Sequence, residues 1–132
     1  MMKTRLAALS VVFAAVAAPA FAHHSGAMFE PVKEVTLKGV IKEFQWTNPH
    51  AWIQVNVPDA SGKLVEWSIE CASPNTMSRG GWKKNILKPG DQVTIVTHPM
   101  KDGTSAGSLV SVTLADGTML GFAGPAPAPK PQ

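Results

Sequence analysis

The fold these 132 residues predict is all-β: an OB-like Greek-key barrel of five to six strands with one short helix between strands three and four. Three observations predict it. Apolar side chains recur at every second position through the middle of the chain, as in strands with one buried face. Turn-forming clusters at Asn48-Pro49, Asp59-Ala60-Ser61-Gly62, Lys88-Pro89-Gly90-Asp91 and Asp116-Gly117 cut that alternation into strand-length segments. A single helix signal falls between the third and fourth segments. Another small antiparallel barrel or sandwich is the alternative.

The elements follow in order. Val35 and Leu37 begin the first strand with apolar odd positions, and Phe44 and Trp46 continue it with apolar even ones. A one-residue slip at Gly39-Val40-Ile41 predicts a bulge that bends the strand. Ala51, Ile53, Val55 and Val57 give the second strand its inner face, and Val65, Trp67, Ile69 and Cys71 the third. Ser73-Pro74 reads as an N-cap followed by proline in the first helical turn, with Gly80-Gly81 closing that helix. Val93 and Ile95 mark strand four. Val110, Val112 and Leu114 mark strand five, and a last short strand spans Thr118 to Phe122.

The two ends read differently. Residues 1–22 form a signal peptide. Lys3 and Arg5 are its basic start, Leu6 to Ala18 an apolar stretch too short to span a bilayer, and Ala20-Phe21-Ala22 a small-x-small cleavage pattern. Cleavage leaves a domain over 23–124 beginning at His23. Residues 125–132, with prolines at every second position, predict an extended polyproline-like tail. The expected compartment is the periplasm, with no membrane attachment after cleavage and a monomeric state.

Charge supports export and not nucleic acid. The chain carries 12 Lys plus Arg against 9 Asp plus Glu, net +3. Without Lys3 and Arg5 the balance falls to 10 against 9, and Lys130 lies in the tail. The clustered cations that displace DNA counterions are missing, with only Arg79, Lys83, Lys84 and Lys88 near one another, so no nucleic-acid partner is expected. One cysteine permits neither an internal disulfide nor a cysteine-only zinc site.

The candidate chemistry rests on four histidines: His23, His24, His50 and His98. A mature N-terminal His23 offers its α-amine and imidazole in one chelate ring. The reference pKa values of about 7.7–8.0 and about 6.5 keep both near neutrality. Such nitrogen donors favour Cu(II) among first-row divalent ions. One further imidazole, from His50 or His98, completes a three-nitrogen histidine brace, with Met28 and Met100 as soft axial candidates. The bland reading is a frayed His-His terminus and two ordinary loop histidines. A second functional reading is a non-metal module that binds a periplasmic protein or small ligand on an aromatic face at Trp46, Asn48 and Trp52. No acid–base constellation accompanies the histidines, so binding or carriage is expected ahead of catalysis; a small copper oxidase is the third reading. Cys71 shares the parity of the third strand's core face and reads as a buried thiol. Glu66 and Glu70 share the opposite face and read as solvated edge charges.

Several stretches carry a resemblance: His23-His24-Ser25 with Met28-Phe29, Glu43 to His50 including Trp46-Thr47-Asn48-Pro49-His50, Trp67 to Glu70, Ser73-Pro74, Gly81-Trp82, Leu87-Lys88-Pro89-Gly90-Asp91, and His98-Pro99 with Asp102-Gly103. Together they resemble a family of small exported proteins, chiefly proteobacterial, classed as a domain of unknown function. The resemblance implies a periplasmic location and a small β fold, and brings no established activity. Cys71 and the proline tail look like departures from it.

Overall fold

The alternating pattern builds six strands and one helix in the computed structural model, which describes residues 25–122. The expected signal peptide, His23, His24 and the proline tail lie outside the described residues. After a 3₁₀ turn at Ser25–Met28 come β1 (Val35–Gln45), β2 (Trp52–Pro58), β3 (Leu64–Glu70), α1 (Pro74–Arg79), β4 (Gln92–Pro99), β5 (Ala106–Leu114) and β6 (Met119–Gly121). Among the described residues no helix is long and apolar enough to cross a membrane.

β1 is long enough to serve two neighbours. Its first half, Val35–Val40, pairs with β4, and its second half pairs with β2. β2 pairs with β3 and β4 with β5, all antiparallel, and a short parallel pairing of β3 with β5 closes the ring. The result is a five-stranded OB-like barrel in the order β1-β2-β3-β5-β4, with β6 added to β5 as a sixth strand.

The odd-position alternation of β2 lands where expected, with Ala51, Ile53 and Val55 fully buried. They meet Leu37, Ile41, Ile69, Val93, Ile95 and Val112 in a single core. Thr97 is a fully buried polar residue, at 0% exposure, and its hydroxyl donates to the Ser108 carbonyl at 2.8 Å. That bond removes the penalty of burying a lone hydroxyl.

Two bulges shift the expected registers. The slip in β1 against β2 falls between Ile41 and Glu43, just beyond the Gly39-Val40-Ile41 position predicted for it. Gly39 is required for a different reason: a Cβ there would stand 2.4 Å from the Asn56 carbonyl oxygen. In β5 the register skips Val110, since Val96 faces Ser111 while Thr97 faces Leu109. Leu109, in place of the expected Val110, therefore joins Val112 in the core.

The helix forms as its caps dictate. Ser73 accepts the Thr76 amide at 3.3 Å, Pro74 opens the first turn and Gly80 ends the helix. Its buried Met77 and the following Trp82, 1% exposed, join the core cluster of the barrel. The Trp82 Nε1–H donates to the Gly121 carbonyl at 2.9 Å, which ties this segment to β6. Phe44 stacks at a tilt on Trp82 and edge-on to Trp46.

Gly39→Ala and Gly107→Ala should each cost about 1–3 kcal/mol, because their Cβ atoms would collide with packed neighbours. Gly26→Ala, which meets nothing within 4 Å, should stay within about 0.5 kcal/mol. Thermal unfolding followed by circular dichroism checks both statements.

The turn aspartates give the fold an acid limb. Ser61 hydroxyl donation to Asp59, the Thr104 amide on Asp102 and the Thr118 amide on Asp116 hold all three carboxyls below their ordinary 3.8. Because the folded values lie below the unfolded one, this stabilisation is complete above that value and is lost as pH falls through the folded values. A triple variant with Asn at 59, 102 and 116 should therefore flatten the dependence of melting temperature on pH in the acid range. An unchanged acid limb would show that other carboxylates carry it.

Candidate functional site

The segment leading into β1 is strapped across the end of β4. The Glu30 amide donates to the Pro99 carbonyl and the Lys101 amide to the Met28 carbonyl, both at 2.9 Å, and Phe29 bridges Met100. Phe29 is 7% exposed, so its ring anchors the strap by burial. The His98 Nδ1 lies 2.9 Å from the Lys33 carbonyl. A carbonyl only accepts, so this nitrogen carries the proton and donates.

His50 is placed by the turn between β1 and β2. The Thr47 hydroxyl donates to the His50 carbonyl at 3.0 Å across Asn48-Pro49, whose peptide is cis. Ala51 then exchanges backbone hydrogen bonds with Cys71 and Ala72, extending the β2–β3 ladder beyond its strand ends. This brings the half-buried His50 ring to Glu70, and its Nδ1 hydrogen-bonds Glu70 Oε1. With the carboxylate as acceptor, Nδ1 donates this bond, and Nε2 is the ring nitrogen it does not engage.

Glu70 is the feature the sequence misjudged. On parity it faces outward with Glu66, and Glu66 is indeed exposed and ion-paired to Lys42 at 2.6 Å. Glu70 instead is 6% exposed. The parallel closure sets it beside Ser108, and the strap and the His50 turn cover it from outside. Period-2 alternation reports which sheet face a residue takes, and it is silent about what a distant segment lays over that face.

A cleft of about 210 Å³ opens at this place. Gly26 and Phe29 of the strap form one wall, His50 and Glu70 another, and Ser108, Cys71 and Phe122 the remainder. It lies where β3 and β6 share one edge of β5: β3 pairs up to Ser108, and β6 pairs from Ser111 onward. The gap between them leaves a notch in the barrel wall.

Cys71 reaches that notch from the core side and is 1% exposed. Burial, reinforced by the neighbouring Glu70 charge, pushes its thiol far above the ordinary value of 9.0. It is therefore a packed thiol, as its strand parity predicts, and a poor nucleophile.

The other candidates are dispersed. His98 faces Ser108 across the β4–β5 ladder, and Ser108 faces Glu70, so the His98 and Glu70 backbones stand two strand spacings apart, roughly 10 Å. His50 borders the cleft, whereas His98 is engaged with the strap. Trp46 packs on the core through Phe44, Trp52 lies half-buried on the outer row between Gln45 and Glu70, and Asn48 is exposed in its turn. Met28 is exposed on the strap, and Met100 bridges it. Among the described residues no three His, Cys, Asp or Glu side chains are grouped to hold a metal. A larger groove of about 470 Å³ runs past Lys38, Gln92 and Leu114, but Lys38 is its one charged side chain and no polar pair converges there. Size alone does not make it the site.

The family of unknown function DUF6152 matches residues 11–110. The chain belongs to that family. The DUF6152 match takes in the strap, His50, Glu70, His98 and Ser108 and ends within β5, so most of the cleft lies inside it. No curated protein and no solved structure matches the chain.

The Cys71 thiol should stay unmodified by a thiol reagent in the native protein at about pH 8 and react fully once guanidinium unfolds the barrel. Rapid labelling of the native protein would show that the notch admits reagents to the core.

Proposed function

We propose that this protein is a periplasmic copper(II)-binding protein. In this reading the His23 α-amine and imidazole, together with the His50 Nε2, supply three nitrogens, and the role is carriage of the metal. The observation that supports it is that Gly26 and Phe29 of the strap line the same cleft as His50. In the sequence His23 precedes Gly26 by three residues, a chain contour of roughly 10 Å. The His50 ring has its Nδ1 engaged by the Glu70 carboxylate, which leaves Nε2 as the nitrogen for a ligand bond. His98 is outside the set because its Nδ1 binds the strap and its ring does not border the cleft. Nitrogen donors of this kind favour Cu(II) over the other divalent first-row ions.

Intact mass of the exported protein should give a chain beginning at His23. That chain should bind one equivalent of Cu(II) with a nitrogen-rich EPR signal. His23→Ala, His50→Ala, or one extra residue ahead of His23 should each weaken binding at least about tenfold. His98→Ala should change it little. Equal affinity in the His23 and His50 variants, or a different mature terminus, would sink the proposal.

A further inference from the structure

Residues 71–90 carry Arg79, Lys83, Lys84 and Lys88 and no acidic residue, whereas the rest of the described chain has five lysines against nine Asp or Glu. The near-neutral total therefore hides a segregated charge, one cationic segment on an otherwise acidic domain. All four side chains are exposed. The ion pairs among the described residues are Lys42 with Glu66 and His50 with Glu70, so no carboxylate there matches any of the four. Asp91, the acid that follows Lys88 in the chain, accepts the Lys88 backbone amide at 2.8 Å.

The segment is held in place before any partner arrives. Trp82 and Leu87 are buried on either side of the exposed Lys83-Lys84-Asn85, and the Ile86 amide closes a turn on the Lys83 carbonyl at 3.0 Å. The backbone entropy that an unstructured basic segment loses on binding is already lost on folding here. The indole bond from Trp82 to the Gly121 carbonyl brings a second feature to the segment. Phe122, the residue after Gly121, is 43% exposed. Cations without acidic partners next to an exposed aromatic ring are the composition of an interfacial surface. None of the four cations lines either cleft described above, so they suit an extended anionic partner better than a small ion.

We infer that this segment docks the protein reversibly on a bilayer surface rich in anionic phospholipid headgroups. Each Lys or Arg near such a surface strengthens partitioning by about fivefold at low salt, and Phe122 adds apolar contact at the headgroup level. The same surface repels the acidic remainder of the domain, which orients the molecule with residues 79–88 toward the lipid. The contact is peripheral and independent of the copper reading.

The test is sedimentation of the exported protein with vesicles of phosphatidylcholine alone and of equal parts phosphatidylcholine and phosphatidylglycerol. Binding is expected to the anionic vesicles only, and raising the salt from about 0.02 M to about 0.5 M should abolish it. Lys83→Gln with Lys84→Gln should weaken it at least about tenfold, and Lys83→Arg with Lys84→Arg should keep it. Lys38→Gln with Lys63→Gln removes the same charge from elsewhere and should change it by less than about threefold. Phe122→Ala should weaken vesicle binding by about threefold. All these side chains are exposed, and circular dichroism verifies that each variant is folded.

No binding to anionic vesicles, or equal binding to neutral ones, overturns the inference. Equal losses in the two glutamine pairs overturn it as well, because net charge and not the segment would then decide. Retention on single-stranded DNA tighter than on the anionic vesicles, or a Phe122→Ala chain that binds vesicles as the wild type does, overturns the assignment to lipid.

Discussion

The parallel pairing of β3 with β5 is short, covering Ser68–Glu70 against Ala106–Ser108, yet the rest of the molecule is arranged around it. Every other ladder in the barrel is antiparallel and joins β1 with β2 and β4, β2 with β3, or β4 with β5. The β3–β5 ladder alone converts that open sheet into a ring and removes two exposed edges. It closes a loop of more than thirty residues holding α1 and β4, so its chain-entropy cost has to be met by the core it completes. Met77 and Trp82 belong to that same loop, and their burial, with the Trp82 bond to Gly121 of β6, acts in its favour.

The closure also creates the cleft. Because β3 occupies the first part of one β5 edge, β6 has to pair further along, and a notch remains between them. The same ladder sets Glu70 against Ser108 on the outer face, where a carboxylate is ordinarily solvated. The strap, anchored by Phe29, and the turn carrying His50 then cover it. A buried acid and a histidine bonded to it are thus a consequence of how the barrel is closed and covered. Gly107 belongs to the same arrangement, since a Cβ there would stand 2.2 Å from the Thr97 hydroxyl that binds the Ser108 carbonyl.

Much of the fold was legible in the residue pattern. The inner faces of β2 and β4, the Ser73 cap, the buried Cys71 and the turns at Asp59 and Asp116 follow from rules spanning a few residues, and all appear where those rules put them. The misreadings arise where two strands must agree on a register. The β1 bulge falls at Ile41–Glu43, and Val110 is skipped because β4 and β5 accommodate each other there. Gly39 signalled the right region for the wrong reason, since the backbone it accommodates, Asn56, lies on another strand.

The sequence by itself determined the succession of strands along the chain, the helix between β3 and β4, the core parity of β2 and β4 and the two histidine segments at strand ends. These depend on turn chemistry and on the two-residue period of a strand, both local. Only the tertiary structure decided which histidine meets which partner. His50 joins Glu70 in a cleft, while His98, two strands away, secures the strap. The physical reason is that burial on the outer face is set by segments laid over it from elsewhere in the chain. The approach of residues 26–29 to residues 50, 70 and 108 has no signature in any local pattern.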